Sequence, residues 1–326
     1  MTKSTRDYAE VIDKTYQLGE QHKVLLEAVQ ELEFKKEKIE NEIEEELNDF
    51  KGNMVHNIAL TAFAETAITN GEIYRASNED KSGVLVRNGT KVSDSEPISY
   101  EDIDEVIDDI SDNCSICGVG SEYTYDLAKV MVATISCHTH LVLKGFAQEI
   151  ANAISLVLES AECSKVYIPA GYNSIKQIVE LINNIESKII VIDGLLENLN
   201  ESLCLALMKN CNDKLLIFTL ESEDACNYIS KYIWRYALYV DIEAIIECPT
   251  YEEMNMGKYR FDDIYKCFCE KNVLKNVKLI IDSTEKADSL KKCEIINVAK
   301  ILSVQNIDIS LNSNSIVRSQ IEILKK

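Results

Sequence analysis

A glycine that directly follows a short apolar segment can help to bind phosphate when a helix begins beside it. Gly145 has this position, because it ends the strand-like stretch HLVLKG and precedes the helical pattern EIANAISLVLES. A phosphate-binding loop, GxxxxGK[S/T], also needs a second glycine, a lysine for the phosphate oxygens and a hydroxyl for Mg²⁺. Those positions hold Ile150, Ala151 and Asn152, and Lys144 precedes the first glycine. The residues that would bind a triphosphate are therefore missing.

The end of the apolar segment KIIVIDG is a second position where side chains could take part in catalysis. An aspartate there can hold Mg²⁺ through water, and a glutamate directly after it can activate the water that attacks a phosphate. Asp193 supplies the first carboxylate, but Gly194 takes the place of the second. We expect the later Glu197 not to substitute for it. The missing lysine and the missing glutamate both predict a chain that is not an enzyme.

Cysteine and histidine offer an alternative chemistry. Cys114 and Cys117 form a CxxC pair, and Cys137, His138 or His140 could complete a zinc site. The helix predicted between the two halves would have to fold back for this to happen. Free, mostly buried thiols in a reducing compartment are therefore the expectation, with no metal bound, and the zinc site is the alternative.

The charge balance limits the partners. The 326 residues carry 55 acidic and 34 basic side chains, which gives a formal net charge of −21. Because nucleic acid is held mainly by Lys and Arg, we expect no direct binding to it. The beginning MTKSTRDYAEV has no apolar signal segment, and no stretch approaches the roughly 18 apolar residues of a membrane span. A cytoplasmic protein without a membrane partner is expected.

Residues 1–69 read as a long helix or helical hairpin. Apolar residues from Leu25 to Phe50 follow an alternating spacing of three and four, which Lys36 and Glu46 interrupt, and charged residues lie between them. This pattern is typical of a coiled coil. We interpret the segment as an arm that joins copies of the chain or binds a partner. An amphipathic helix packed on its own domain is the alternative.

Residues 70–124 form a predicted connector of a small β-hairpin, with a turn at Asn88–Gly89, and an acidic helix. Ser99 is expected to cap that helix and Asp102 to close the capping box. Its apolar stripe is Ile103, Val106, Ile107 and Ile110. From Asp94 to Asp112 there are nine acidic residues and no basic one. A solvated face is the expectation, and a docking surface for a basic partner is the alternative.

Residues 125–248 alternate between short apolar segments and helical patterns of about ten to fifteen residues, which predicts an α/β core with a parallel sheet covered on both faces. Such sheets bind ligands at the carboxyl ends of their strands. The tail, residues 249–326, is predicted to be a small helical subdomain. The strand-like segments are HLVLKG, KVYIPAG, KIIVIDG, KLLIFTLES and ALYVDIEAI.

The order of these parts resembles an AAA+ ATPase, and it is most similar to McrB-like and MoxR-like modules. The resemblance covers roughly residues 125–326. It implies an α/β fold with a degenerate P-loop NTPase-like core and a lid-like helical tail. Gly145, Asp193 and Arg235 would then be the remaining positions of a nucleotide site.

The resemblance also implies roles for two later segments. In this family the strand corresponding to KLLIFTLES carries a polar sensor residue, so Thr219 or Glu221 would hold that position. Arg235, in KYIWRYALYVDIE, matches one of the arginines that act on the nucleotide of a neighbouring subunit. A local salt bridge is the other interpretation of Arg235, and both stay open here.

The resemblance and the missing residues together imply a non-catalytic, ATPase-like scaffold or assembly subunit that needs no cofactor. Residues 1–69 would join copies of the chain or bind a partner protein, such as a nuclease or an intact ATPase. By analogy with McrB-like systems, the setting would be a bacterial anti-phage or DNA-processing complex. The alternative is an active NTPase subunit whose site is completed in trans by another chain.

Overall fold

The computed structural model describes residues 74–75, 83–91, 97–198, 200–221, 229, 232–250, 252–283, 292–311 and 313–325. The predicted arm at 1–69 lies outside these ranges, as does most of the helix predicted at EDACNYISKYIW. The described part is an α/β structure with a mostly parallel sheet, which confirms the predicted class of the core. None of its helices has the length and apolar character that a membrane crossing requires.

One seven-stranded sheet runs through the described part, in the order β1-β2-β5-β6-β7-β4-β8. The strands from β5 to β8 in this order are parallel, and β2 pairs antiparallel with both β1 and β5. A two-stranded parallel sheet joins β3 to β9. The strands are β1 (Tyr74–Arg75), β2 (Leu85–Arg87), β3 (Ile98–Ser99), β4 (His140–Lys144), β5 (Ser164–Tyr167), β6 (Ile189–Asp193), β7 (Leu215–Leu220), β8 (Ala237–Asp241) and β9 (Gly257–Lys258).

Helices separate the parallel strands and continue into the tail. Single turns of 3-10 helix also occur at Ile233–Arg235 and Glu270–Asn272. The α-helices of the described ranges are α1 (Ile103–Ile116), α2 (Thr124–Ser136), α3 (Ala147–Glu159), α4 (Ile175–Asn184), α5 (Glu201–Asn210), α6 (Phe261–Tyr265), α7 (Val273–Ser283), α8 (Lys292–Ile301) and α9 (Ser315–Lys325).

The two faces of the sheet bury alternate residues of each strand. On β4, Leu141 and Leu143 belong to one hydrophobic cluster, and Val142 belongs to the other. The first cluster includes α1, α2, α3 and the tail helices, whereas the second includes α4 and α5. Because both faces are covered, the strands can be apolar throughout, as the sequence pattern predicts. Residues on both sides of the predicted boundaries at 124/125 and 248/249 belong to the first cluster.

Helix α1 buries the predicted stripe, since Ile103, Val106, Ile107 and Ile110 are all buried. The predicted cap at Ser99 is wrong. Ser99 is extended and pairs with Lys258 in the small sheet, so the chain cannot turn into a helix there. Asp102 is the N-cap instead, and its Oδ1 accepts from the backbone N–H groups of Asp104 and Glu105 at 2.9 and 3.0 Å.

His140 fixes the beginning of β4 to the neighbouring elements. Its ring is fully buried, Nε2 lies 3.0 Å from the Met208 carbonyl oxygen, and Nδ1 accepts from the Leu216 N–H at 3.2 Å. Because Nδ1 accepts, the ring is neutral and Nε2 carries the proton. Burial lowers the pKa of His140 to about 4, although the bond to Met208 opposes this change. The histidine therefore serves the fold as an uncharged link.

The outer edge of β8 is covered by side-chain amides. Asn297, on α8, donates from Nδ2 to the carbonyl oxygens of Trp234 and Ala237. Gln320, on α9, donates from Nε2 to the carbonyl oxygen of Tyr239. The helical tail thus supplies the donors that a further strand would otherwise provide.

Candidate functional site

The order in which successive strands join the sheet reverses at β4, which lies between β7 and β8. The helix that follows β4 packs on one face, whereas α4 and α5 pack on the other. Where consecutive connections leave a parallel sheet on opposite faces, a crevice opens at the carboxyl ends of the strands and is the usual ligand site. The candidate site is therefore the carboxyl edge of β6, β7, β4 and β8, which includes Gly145 and Asp193.

The turn after β4 contains only Gly145 and Phe146 before α3 begins at Ala147. Both turn residues are left-handed, with φ of 73° and 50°. The aligned second-glycine position, Ile150, lies within α3 and is fully buried. Ala151 is equally buried, and Asn152 accepts the Cys163 N–H at 3.0 Å. None of these three side chains reaches the edge, because helix packing directs them elsewhere.

Lys144 is held by two carboxylates, one at the end of β8 and one just after it. Its Nζ lies 3.2 Å from Asp241 Oδ2 and 3.3 Å from Glu243 Oε2. The bond to Asp241 raises the pKa of Lys144, so the amine stays charged. Glu243 also lies directly against Gly145, since a Cβ on this glycine would meet Glu243 Cγ at 2.4 Å. A carboxylate thus lies over the turn where a phosphate would approach.

Asp193, at the end of β6, is also engaged. Its Oδ2 forms an ion pair with Lys165 Nζ at 2.9 Å, and its Oδ1 accepts from the Thr219 hydroxyl at 2.9 Å. Thr219, one of the two predicted sensor positions, therefore does contact Asp193. The next residue, Gly194, has φ of 78°, and a Cβ there would lie 2.9 Å from the Ile168 carbonyl oxygen. A glutamate at this position would be strained and crowded.

Glu197 and Glu221 meet at the same edge. Glu197 Oε1 accepts the backbone N–H of Glu221 at 3.0 Å. Burial raises the pKa of Glu197 to about 7, and the charges of Glu221 and Asp193 add to the effect. A carboxyl group with this pKa exchanges its proton near neutral pH. It is the group at the edge best placed to hold a proton.

We expect Glu197→Gln to stabilise the protein at pH 8 and to leave it almost unchanged at pH 5. In the unfolded chain this carboxyl group ionises at its ordinary pKa of about 4.3, so the folded wild type loses stability as pH rises towards 7. Glutamine mimics the protonated form and avoids the loss. Because the group is partly exposed, we expect a gain of about 1–2 kcal/mol at pH 8.

Urea unfolding of both proteins between pH 5 and 8 measures this difference. Glu186→Gln, at an exposed position in the turn before β6, is the matched control. A difference between Glu197→Gln and the wild type that stays constant with pH would contradict the assignment of the proton to Glu197.

Arg235 does not belong to this edge. It ends the 3-10 turn before β8, so about 17 Å of a five-residue strand separates it from the carboxyl edge. Its side chain is exposed and forms no ion pair with any described residue, which leaves the predicted local salt bridge unsupported. Of the three predicted positions, the structure therefore brings Gly145 and Asp193 to one edge and places Arg235 at the other.

The cysteine and histidine residues considered for zinc do not converge. Cys117 Sγ donates to the Glu149 carbonyl oxygen, and Cys137 Sγ donates to that of Lys300. Burial raises the pKa of each thiol to about 12. Across the described ranges, no three His, Cys, Asp or Glu side chains are arranged as a metal site.

Lys165, Asp241 and Glu243 shape this edge, but the sequence interpretation missed them. Asp241 ends a predicted parallel strand, so the rule that located Asp193 could have found it. No local pattern indicates Glu243, because its contact with Gly145 depends on how β8 lies beside β4. Lys165 lies within β5 and reaches Asp193 across the pair β5–β6.

What this edge can bind depends on its own residues, because one fold supports many functions. Its carboxylates outnumber its lysines, and both Lys144 and Lys165 are already paired with aspartates. The edge therefore carries an excess of negative charge. Neither a scan against protein-family models nor a search of curated proteins finds a match to this chain.

Proposed function

We propose that this protein is a non-catalytic, ATPase-like scaffold or assembly subunit. The observation that carries the proposal is the pairing of Lys144 with Asp241 and Glu243 over the turn at Gly145. A nucleotide site needs free cations and backbone N–H groups at this point. Here the lysine is neutralised by the chain itself, and a carboxylate covers the glycine.

The order of the strands supports the ATPase-like part of the proposal. Numbered along the chain from β4, the five parallel strands lie in the order 2-3-4-1-5. The strand before the Gly145 turn therefore lies inside the sheet, with a ligand crevice at its carboxyl end, as the α/β core implied by the resemblance would need. In that arrangement the polar residue of the fourth strand lies between the first and third strands, and Thr219 has this position beside Asp193. This similarity is one of strand order alone, and it is no evidence for ATPase activity.

The backbone supports the non-catalytic part. Helix α3 begins two residues after β4, so no loop remains to surround a phosphate. Gly194 replaces the glutamate that would activate water, and its φ and its contact with Ile168 disfavour any side chain there. Substitution at a single position would not restore the chemistry, because the loop and the carboxylate are lost separately.

Isothermal titration calorimetry of the full chain with Mg²⁺ and ATP tests the proposal. We expect no saturable heat, because Lys144 and the turn are already occupied. Micromolar affinity would contradict it. ATP turnover that disappears in Arg235→Ala would instead support the alternative, an NTPase subunit whose site is completed by another chain.

We propose further that assembly uses residues 1–69, either between copies or with a partner such as a nuclease or an intact ATPase. A cytoplasmic complex for defence against foreign DNA or for DNA processing is the setting that the resemblance suggests. Affinity purification of the tagged full chain from its native host, followed by mass spectrometry, tests this setting. Recovery of neither a nuclease nor an ATPase would contradict it.

A further inference from the structure

The surface around Tyr236 collects positive charge in a chain whose net charge is −21. Lys209 Nζ lies 5.6 Å from the centre of the Tyr236 ring, and Arg235 Cζ lies 6.0 Å from it. Lys300 is close to Arg235, and burial together with this neighbour lowers the pKa of Lys300. We call Lys209, Arg235, Tyr236 and Lys300 the cation–aromatic patch.

These three cations have no carboxylate partner among the described residues. Lys144 and Lys188, by contrast, pair with Asp241 and Asp213. Lys209 and Lys300 each lie in the last turn of a helix, where the helix dipole favours a cation. Arg235 and Lys300 nevertheless experience mutual repulsion. An anionic partner would offset it.

The opposite charge lies in a row on α1. Asp104, Asp108 and Asp112 are spaced by four residues, so they share one exposed face of the helix. Partial burial and the charges of Asp112 and Asp104 raise the pKa of Asp108. No described residue forms an ion pair with any of the three. We call them the acidic row.

Other groups beside the acidic row do not neutralise it. Tyr125 is 40% exposed next to the row. The nearby Lys129 places its amine over the Tyr125 ring at 4.4 Å and donates to the Asp308 carbonyl oxygen. Lys129 forms no ion pair with these aspartates in the described part of the chain, and one cation cannot balance three carboxylates.

Among the described residues, no ion pair joins the patch to the row within one chain. Helix α1 belongs to the layer on one face of the sheet, whereas α5, which carries Lys209, belongs to the other. The acidic row is at least as long as the separation of the two cations. Asp104 and Asp112 are separated by about 12 Å of helix. Lys209 Nζ and Arg235 Cζ lie at most about 12 Å apart across the ring.

We propose that the cation–aromatic patch of one copy binds the acidic row of a second copy. The contact is heterologous, because each copy contributes a different surface, so it extends head to tail. It deepens the proposed assembly role and rests on it, but it uses neither residues 1–69 nor the edge at Gly145. Repulsion between the net charges of two copies is screened beyond about 8 Å in physiological salt, whereas ion pairs that become partly buried in the contact are screened less.

Two variants of the full chain test the contact by sedimentation velocity in physiological salt. The patch variant is Lys209→Gln with Arg235→Gln, and the row variant is Asp104→Asn, Asp108→Asn and Asp112→Asn. We expect the wild type to grow in size with concentration. Each variant alone should lose this growth, with its association weakened by at least about tenfold.

An equal mixture of the two variants gives the decisive result. The row variant keeps its patch and the patch variant keeps its row, so we expect a one-to-one complex that grows no further. Growth of either variant like the wild type, or no complex in the mixture, would overturn the contact. Lys176→Gln with Asp262→Asn neutralises exposed charges elsewhere and should behave like the wild type.

The same experiment separates this contact from assembly through residues 1–69. A species of fixed size that the wild type and all variants share would reflect that segment. If this species is present but nothing grows with concentration, only the charge contact is wrong. If every sample is monomeric at all concentrations, the charge contact and self-assembly through residues 1–69 are both wrong, and the assembly role would need a partner protein.

Discussion

Replacing His140 with alanine is expected to lower the free energy of unfolding by about 3–5 kcal/mol at pH 7.5, because it combines a buried cavity with two lost hydrogen bonds. The Met208 carbonyl and the Leu216 N–H would both remain buried without their partner. The beginning of β4 would separate from α5 and β7, the elements that align it for the turn at Gly145. Urea unfolding of the two proteins measures the loss.

The loss should shrink as the pH falls. Unfolded histidine takes up a proton near pH 6.5, whereas the buried ring of His140 resists protonation until about pH 4. The wild type therefore keeps this contribution in full above pH 6.5 and loses about 3 kcal/mol of it as the pH drops to 4. The alanine variant has no such loss, so the two unfolding curves should approach each other in acid.

His138→Ala is the control, because His138 is exposed and lies only two residues away. It stacks on Tyr265 and contacts the Asn212 carbonyl, so we expect a loss of about 1 kcal/mol or less. Comparable losses in both variants, or a His140→Ala difference that does not change with pH, would contradict the assignment of acid sensitivity to His140.

Gly194→Ala is expected to cost about 2–3 kcal/mol, because the residue is left-handed and its Cβ would press on the Ile168 carbonyl. Gly171→Ala is a matched control. Gly171 has a similar φ of 82°, but no atom lies within 4 Å of the added Cβ. The control should lose only the conformational part, about 1 kcal/mol. Thermal unfolding of the two variants separates the cost of the contact with Ile168 from the cost of the left-handed backbone conformation.

Gly194→Glu extends this test to function. It restores the side chain that an ATPase would carry after Asp193, but we expect a destabilised protein without ATP hydrolysis. The strained position and the paired Lys144 both oppose activity. Turnover gained by this single substitution would show that only the glutamate was missing and would contradict the proposed scaffold.

The order of elements in the core could be predicted because each apolar strand is buried on both faces and each connection has a helical period. KIIVIDG became β6 and SIKQIVELINNI became α4 for this reason. The cap of α1 could not be predicted as reliably. Ser99 and Asp102 are both good capping residues, and the choice depended on β9, which lies far along the chain.

The contacts at the candidate site were harder to predict than its position. The carboxyl edge followed from the parallel pattern, and Asp193 and Gly145 are both found there. Glu243 could not be anticipated, because it reaches Gly145 only after β8 pairs with β4. Sequence distance hides such neighbours, since the two residues are close only in the folded sheet.

The amide side chains along β8 determine whether a further strand can add to this edge of the sheet. Open edge strands invite another strand, either from a partner peptide or from an aggregating copy. Asn297 and Gln320 already satisfy the outward carbonyl oxygens of Ala237 and Tyr239. A further strand therefore cannot add to the sheet at the outer edge of β8. A partner chain that binds there must contact side chains instead.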